Sequence, residues 1–283
     1  MSVLELTEAE YHADQVSRDG PSLSSSLAHV LCTMSPAHAK ARHPRLSPGV
    51  VQAESDAFDL GTVCHALLLG GLEAVQVIDH DSYRTKAAQT ARDDARAAGF
   101  TPILAKHWLN AQQMIDRVRE QLDDLQLDPP MFSDGRPEVT IAWEETGVRC
   151  RARLDWLRTD VAAVDDMKTT SRSGAPEAWV RRSLFENGYD VRAAFYIRGV
   201  RAVTGETPKF RWLVAETEPP YAISVVTPGP DVLALGDDKA AYAIRVWRHC
   251  LETGVWPAYP PVAHVAELPA WEEARWLGRR DAT

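Results

Sequence analysis

Two aspartates and a lysine stand in this sequence at a spacing that suits phosphoryl chemistry. Arg151-Ala152-Arg153-Leu154-Asp155 is followed, after ten intervening residues, by Asp166-Met167-Lys168-Thr169-Thr170. Both stretches read as strands, on which every second side chain shares a face. Arg151, Arg153 and Asp155 then point one way on the first strand, and Asp166, Lys168 and Thr170 do so on the next. A tight turn at Arg158-Thr159-Asp160 brings Asp155 beside Asp166. Two such carboxylates repel unless a cation sits between them, and hard oxygen ligands suit Mg²⁺ or Mn²⁺. A lysine in the same patch can orient or deprotonate a water and stabilise charge on a phosphoryl oxygen. Asp165, at the opposite parity, faces away. The same spacing also fits a solvated strand pair closed by an Asp–Lys bridge.

Two further segments carry side chains of similar kind. In Gly61-Thr62-Val63-Cys64-His65, the first and last residues stand four apart on one helix face. The glycine admits a second backbone, and His65 offers a nitrogen ligand or fills a core position. In Gly188-Tyr189-Asp190-Val191-Arg192-Ala193-Ala194-Phe195-Tyr196, Arg192 and Tyr196 share a helix face in the same way.

The elements that must position these groups follow from periodicity. Residues 21–44 read as two short helices, the first capped by Ser24 or Ser25 and the second opened by Ser35-Pro36. Further helices are expected over 57–70, over the polar, Ala-rich 84–99, and over 105–124, where Leu109, Met114, Ile115, Val118 and Leu122 recur at helical spacing. Asp128-Pro129-Pro130 ends this portion. The period then changes to two, giving strands over 137–145, 148–157 and 161–169. Helices over 176–187 and 190–204, strands over 209–216 and 221–228 and a helix over 236–252 complete the pattern, with an irregular tail after Trp256-Pro257. A helical first half and a strand-rich second half with inserted helices indicate an α/β (α+β) fold. The chain reads as one domain over 1–283: a mainly helical portion to 130 with the His65 motif, a sheet-and-helix portion over 131–230, and a C-terminal helix and tail.

Composition excludes other classes. With 45% hydrophobic and 25% charged residues, the chain is neither disordered nor a fibrous repeat. The acidic opening Met1-Ser2-Val3-Leu4-Glu5-Leu6-Thr7-Glu8 lacks an apolar core, so export is not expected and the cytoplasm is. The longest apolar run, Ala66-Leu67-Leu68-Leu69, stops at Gly70-Gly71, too short for a membrane span. Cys32, Cys64, Cys150 and Cys250 are far apart and lack the paired spacing of a zinc site, as reduced thiols would be. The formal charge of -9, from 40 acidic and 31 basic residues, argues against a broad basic surface for nucleic acid. Of those cations 25 are Arg and six Lys, and Arg is the better bidentate phosphate ligand. Arg151, Arg153, Arg181, Arg182 and Arg192 gather around the motifs, as a local cationic track requires.

The ordered set resembles the PD-(D/E)xK nuclease superfamily, its RecB-like branch, and more closely the RecE-type exonuclease VIII family of phages and prophages. The likeness rests on Phe58 through His65, Cys150 through Asp155, Asp166 through Thr170 and Gly188 through Tyr196. Pro21 through Leu27 and Gly254-Val255-Trp256-Pro257 fit the same pattern, so it spans roughly residues 8–276. The resemblance implies a restriction-endonuclease-like core, a mixed central sheet flanked by helices. It implies metal ligation by His65, Asp155, Asp166 and the Met167 carbonyl, and a water positioned by Lys168. Glu138 matches an acidic position that orients a water or a second metal, or it is a solvated strand residue. Tyr196 matches the final Tyr of a Q-x3-Y motif, so Asp155, Asp166, Lys168, Glu138 and Tyr196 form the implied catalytic set.

Leu154 replaces the Pro of the superfamily name, and Arg192 replaces the Gln of the last motif. Arg192 would grip a phosphate, or pair with Asp155 or Asp166 and displace the metal. Arg151, Arg153 and Arg192 are the expected substrate contacts. Arg84 and Lys86, with Arg92 and Arg96, either cover DNA or form a solvated helix. The implied activity is Mg²⁺-dependent, with Mn²⁺ able to substitute: exodeoxyribonuclease action on linear double-stranded DNA ends. The expected polarity is 5′→3′, leaving 3′ tails for a single-strand annealing recombinase, with the protein in a closed homo-oligomeric ring and away from membranes. Related nucleases with a four-Cys iron–sulfur cluster bunch three ligands near the C-terminus, where only Cys250 stands, so no cluster is expected. A DNA-end-binding protein with weak cleavage, or a RecB-like nuclease subunit of a larger complex, are the alternatives.

Overall fold

A computed structural model describes residues 2–49 and 56–280. In chain order the elements are β1 (Ser2–Leu4), α1 (Glu8–His12), β2 (Leu23–Ser24), α2 (Ser25–Thr33), α3 (Pro36–Arg42) and α4 (Asp56–Leu69). They continue with β3 (Val75–Ile78), α5 (Lys86–Ala97), β4 (Thr101–Leu104), α6 (Ala105–Asp124), β5 (Gly135–Glu145), β6 (Val148–Arg158) and β7 (Ala163–Thr170). Last come α7 (Pro176–Trp179), α8 (Tyr189–Thr204), β8 (Lys209–Glu216), β9 (Ile223–Val226), α9 (Pro230–Thr253) and α10 (Ala270–Arg280). The helix expected over 176–187 is one α-helical turn that continues as a π-helical turn over Val180–Leu184. Among the described residues no helix is long and apolar enough to cross a membrane.

Seven strands form the central sheet, in the order β1-β5-β6-β7-β8-β9 with β2 beside β6. β5 and β6 form a hairpin closed by Thr146 and Gly147, whose φ values of 49° and 80° match the right-handed twist of the flanking strands. β7 runs parallel to β8, and β8 antiparallel to β9. The sheet is mostly antiparallel and carries helices on both faces, the flanked central sheet that the resemblance implied. On one face α2, α8 and α9 pack in a core that includes Leu27, Ile141, Phe195, Trp212 and Trp247. On the other, α4 and α6 cover Met167 and Leu213 with Val63, Met114, Ile115 and Val118. The helices α8 and α9 approach closely because α9 presents Gly236. A Cβ there would fall on the Asp190 carbonyl oxygen, which is backbone and cannot yield.

One feature of the sheet decides where chemistry can happen. β6 pairs with β5 along its whole length, but with β7 only at Trp156↔Asp165 and Leu157↔Val164. Upstream of that point its free edge is taken by β2, through Leu23↔Cys150 and Ser24↔Arg151. The two strands therefore fork at Asp155 and Asp166. Leu154 and Leu157 both join the same core cluster, so strict alternation slips between them. Opposite this slip, between the pairs Pro137↔Trp156 and Val139↔Leu154, lies Glu138 with φ 52°. A left-handed conformation is costly for a residue with a Cβ and is held only where the surroundings impose it.

The N-terminal segment is locked against this sheet. Thr7 caps α1 through a capping box with Glu10. Beyond α1, the fully buried Asp14 accepts from Arg151 Nη1 at 2.8 Å and from the Ser22 amide at 2.9 Å, and Ser22 Oγ donates to it as well. His43 Nε2 lies 3.2 Å from the same carboxylate. Arg151 also donates to the Ser22 carbonyl at 2.7 Å and is only 4% exposed. This corrects the expectation that Arg151 contacts substrate: its charge is spent inside the protein on Asp14 and Ser22. Period-two alternation places it on the correct strand but cannot reveal a partner 137 positions away.

Several short elements escaped the sequence reading, and each has a physical reason. β1, α1, β3 and β4 have five residues or fewer and gain their order from neighbours. β3 and β4 pair parallel with each other, off the main sheet. The tail expected to be irregular contains α10, which has no buried residue.

Two outcomes follow for stability. Gly236→Ala should lower the urea midpoint, by about 1–3 kcal/mol as overpacked sites do, with little change in m. For Asp14, burial alone would raise the pKa, but His43, Arg151 and Ser22 outweigh it and hold the carboxyl below its usual range. Its stabilisation is therefore present above the unfolded value near about 3.9 and lost as pH falls through the folded value. Asp14→Asn should cost roughly 3–5 kcal/mol at pH 7, the cost of breaking a buried charge pair. Urea unfolding across pH 5 to 2 should show a shallower acid limb than in the wild type.

Candidate active site

At the fork, Asp155 replaces a missing strand-to-strand hydrogen bond. Its Oδ2 accepts from the Met167 backbone N–H at 2.8 Å, on the strand that has just diverged. His65 reaches the same place from α4, where Val63 and Cys64 anchor the helix in the core. Its Nδ1 lies 3.5 Å from Asp155 Oδ2 and its Nε2 is 3.1 Å from the Met167 carbonyl oxygen. Gly61, one turn earlier, faces Thr169, and a Cβ there would make an ordinary 3.7 Å contact. The glycine is thus not required for the approach of α4 to β7.

Lys168 closes the group. Its Nζ donates to the Met167 carbonyl at 2.9 Å, pairs with Asp166 Oδ2 and lies 3.9 Å from Asp155 Oδ2. The Asp166 side chain is fully buried, and neither of its oxygens accepts a hydrogen bond of good geometry. Burial raises the Asp166 pKa, and the charge on Asp155 raises it further. Asp155 is half-buried, and burial would raise its pKa too, but His65, Lys168 and the Met167 N–H outweigh that and hold it low. The two carboxylates are thus driven apart in acidity, as in sites where one positive charge serves two acids.

Among the described residues no three His, Cys, Asp or Glu side chains form a ready-made metal cage. The donor set still fits a divalent cation. One imidazole, two carboxylates and a backbone carbonyl converge, and among the described residues Asp166 Oδ1 has no partner, which a buried carboxylate oxygen needs. His65, Asp155, Asp166 and the Met167 carbonyl are the residues that would hold it, with Lys168 displaced toward the open side. Asp165 faces away, bound to Arg211 at 2.6 and 2.9 Å and to the Phe132 N–H at 2.8 Å.

The other expected residues divide. Glu138 lies across from Asp155, and burial, then the Asp155 charge, raises its pKa. It accepts from Arg153 Nε at 2.7 Å, and Arg153 also donates to the Leu6 carbonyl and to Thr140. Arg153 therefore borders the site and spends its Nε and Nη1 donors within the protein. Tyr196 is buried 6.2 Å from the Phe210 ring, and burial pushes its hydroxyl pKa far up. Arg192 faces Tyr196, Asp166 and Asp155 electrostatically, yet its guanidinium makes no hydrogen bond and no ion pair with either carboxylate among the described residues. Arg84 and Lys86 are exposed around the start of α5, which packs on β3 and β4 rather than on the fork. Arg181 and Arg182 lie exposed in the π-helical turn.

Sequence reasoning passed over three neighbours. Tyr11 on α1 lies buried with the Arg151 guanidinium 5.4 Å above its ring. Glu8, on the same helix, is held low by its bond to His12 against the effect of burial, and also by the charges of Arg153 and His65. Nothing local marked either residue. Tyr189 was within reach, because it stands three residues before Arg192 at the start of a helix and so shares its face.

Comparison with known proteins bears on the fold. A protein described as "Putative exonuclease" from Eubacterium rectale matches with a TM-score of 0.64 over 94% of this chain and 96% of its own, at 15% identity. A phage related exonuclease from Haemophilus somnus 129PT covers 68% of this chain and 95% of its own at 12% identity, with a TM-score of 0.29 that is too low to bear on the fold. No curated protein matches the chain. A model of the PDDEXK-like domain of unknown function (DUF3799) matches residues 24–266, from the start of α2 through α9 and including the whole fork. The chain belongs to this PDDEXK-like family.

Proposed function

We propose that the protein is a divalent-metal-dependent nuclease of the RecE type, degrading linear double-stranded DNA from its ends. The observation that carries the reading is the convergence of Asp155, Asp166, Lys168 and His65 on one fork of the sheet. Asp155, Asp166 and Lys168 follow the D…DxK order from which the PDDEXK-like family takes its name, and they lie inside the matched residues, which supports the reading. The similar structure described as a putative exonuclease supports it.

Each residue has a task in phosphodiester hydrolysis. His65, Asp155, Asp166 and the Met167 carbonyl would bind Mg²⁺, or Mn²⁺ in its place. When bound, the metal would lower the pKa of a water and offset charge on the scissile phosphate. Lys168 Nζ, freed from Asp166, holds the attacking water oxygen and then faces the phosphoryl oxygen as charge develops there. Glu138, across from Asp155 and with its pKa raised by burial and by the Asp155 charge, would accept a proton at its carboxylate. Arg192, whose donors meet no protein acceptor among the described residues, grips a phosphate oxygen pair as an Arg fork can. The exposed Arg181 and Arg182 extend the cationic track, as the exposed Arg84 and Lys86 would from the β3–β4 layer.

The finer expectations belong to the same proposal: 5′→3′ polarity, 3′ tails handed to a single-strand annealing recombinase, no iron–sulfur cluster, a closed homo-oligomeric ring, and work in the cytoplasm. A heterologous head-to-tail contact closes such a ring naturally. The second reading, a DNA-end-binding protein with weak cleavage, draws on Arg192 standing in a site where a Gln is usual. The lack of any ion pair from Arg192 to Asp155 or Asp166 favours the active enzyme.

Incubation of end-labelled linear duplex with Mg²⁺ should release nucleotides from the 5′ end and leave closed circles intact. Asp155→Ala and Lys168→Ala should each lower the rate at least about 100-fold, as loss of a group acting on developing charge does, without loss of the folded state. Intact linear DNA with both Mg²⁺ and Mn²⁺ would refute the enzyme. Faster cleavage by Arg192→Gln than by the wild type would favour the end-binding reading.

A further inference from the structure

One aromatic ring beside the site has no part in the hydrolytic roles assigned to its neighbours. Tyr189 opens α8, just after Gly188, whose φ of 66° turns the chain into the helix. A Cβ at Gly188 would fall on the His29 ring, so the start of α8 packs closely against α2. One face of its ring stacks on Trp179 at 5.5 Å with an interplanar angle of 10°. Trp179 is itself 2% exposed and rests against Trp212, 5.7 Å away, in the main core. Two cations also stand over the tyrosine ring: Lys168 Nζ at 5.5 Å and the Arg192 guanidinium at 5.6 Å from its centroid. Both distances lie within the range of a cation–π attraction.

Two cations rarely share one small surface unless something holds them there. Lys168 has carboxylate and carbonyl partners that fix it. Among the described residues Arg192 has none, and the aromatic face is what holds its guanidinium. The tyrosine hydroxyl makes no hydrogen bond among the described residues, so the ring itself is the working part. Rigid backing by Trp179 and Trp212 removes the freedom a lone tyrosine would have.

We infer that Tyr189 is a positioning residue that presents Arg192, and through the same ring Lys168, to a backbone phosphate of the DNA. The inference rests on the nuclease reading and adds the device that lets an arginine replace the usual glutamine without closing on Asp155 or Asp166. The ring attracts the guanidinium, and the stack keeps it on the substrate side of the carboxylates. The ligand class is a phosphodiester, bound by the two-pronged fork of Arg192 beside the phosphate that Lys168 serves.

The experiment measures binding of fluorescent linear duplex in EDTA, where no cleavage occurs, across a salt series. Tyr189→Leu should weaken binding about 3- to 30-fold, the range of a lost cation–π contact with its preorganisation. Its log–log salt slope should fall by about one, toward that of Arg192→Gln. In the Arg192→Gln background, Tyr189→Leu should cost less than about twofold more, because it acts through the same residue. Tyr189→Phe should keep most of the affinity that Tyr189→Leu loses. Incorporation of pentafluorophenylalanine in place of Tyr189 preserves shape and reverses the charge of the ring face, so it should behave like Tyr189→Leu even if the leucine variant unfolds. Equal losses in both Arg192 backgrounds, or a fluorinated ring that binds as tightly as Phe, would overturn the inference while the nuclease reading stands. A wild type that neither binds nor cuts duplex DNA would overturn both.

Discussion

Two carboxylates in a buried space, with one ammonium between them, impose conditions on everything nearby. Asp155 and Asp166 would drive each other toward the protonated state if nothing intervened. Asp155 escapes through the Met167 N–H, His65 and Lys168. Asp166 does not escape, and its acidity is weakened by burial and by its neighbour. The Met167 N–H is available only because β6 and β7 part company at this point, since a continued ladder would have used it. The fork thus supplies at once the space, the free backbone groups and the imbalance of charge. β2 makes this tolerable by pairing with the upstream edge of β6, which would otherwise expose its backbone.

The same economy governs the arginines. A whole-chain charge of -9 looked unfavourable for a DNA-binding protein, yet it is an average over a surface that is mostly remote from the fork. What matters is which guanidinium groups remain uncommitted. Arg151 holds Asp14, Arg153 holds Glu138, and Arg211 holds Asp165. These pairs consume local positive charge to fix the N-terminal segment, the kinked strand and the back of β7. Arg192 is the site cation left without a carboxylate, and an aromatic face rather than an acid restrains it. A protein acceptor there would satisfy Arg192 and compete with substrate.

Much of this architecture was legible in the sequence. The helix over 105–124 and the strand over 209–216 appear with their expected bounds, because their apolar residues recur at an unambiguous period. The strands carrying Asp155 and Asp166 were readable for the same reason, and their facing register follows from a short turn between them. Elements of two to five residues were not readable, since so few residues establish no period and tertiary contacts stabilise them. The exposed α10 was missed for a different reason: its residues bury nothing, so the pattern has no core to report.

From the sequence alone came the parity that sets Asp155, Asp166 and Lys168 on one patch, the helical placement of His65, and the order of the motifs. These are local properties, determined by backbone geometry that repeats every two or every 3.6 residues. Only the tertiary structure decided the use of each arginine, the left-handed turn at Glu138, and the stacking of Trp179, Tyr189 and the two cations. Those depend on which distant segments meet: residue 14 with 151, 138 with 155, and 168 with 189. Spacing along the chain carries no record of such meetings, because burial and charge neutralisation are settled only when the layers close.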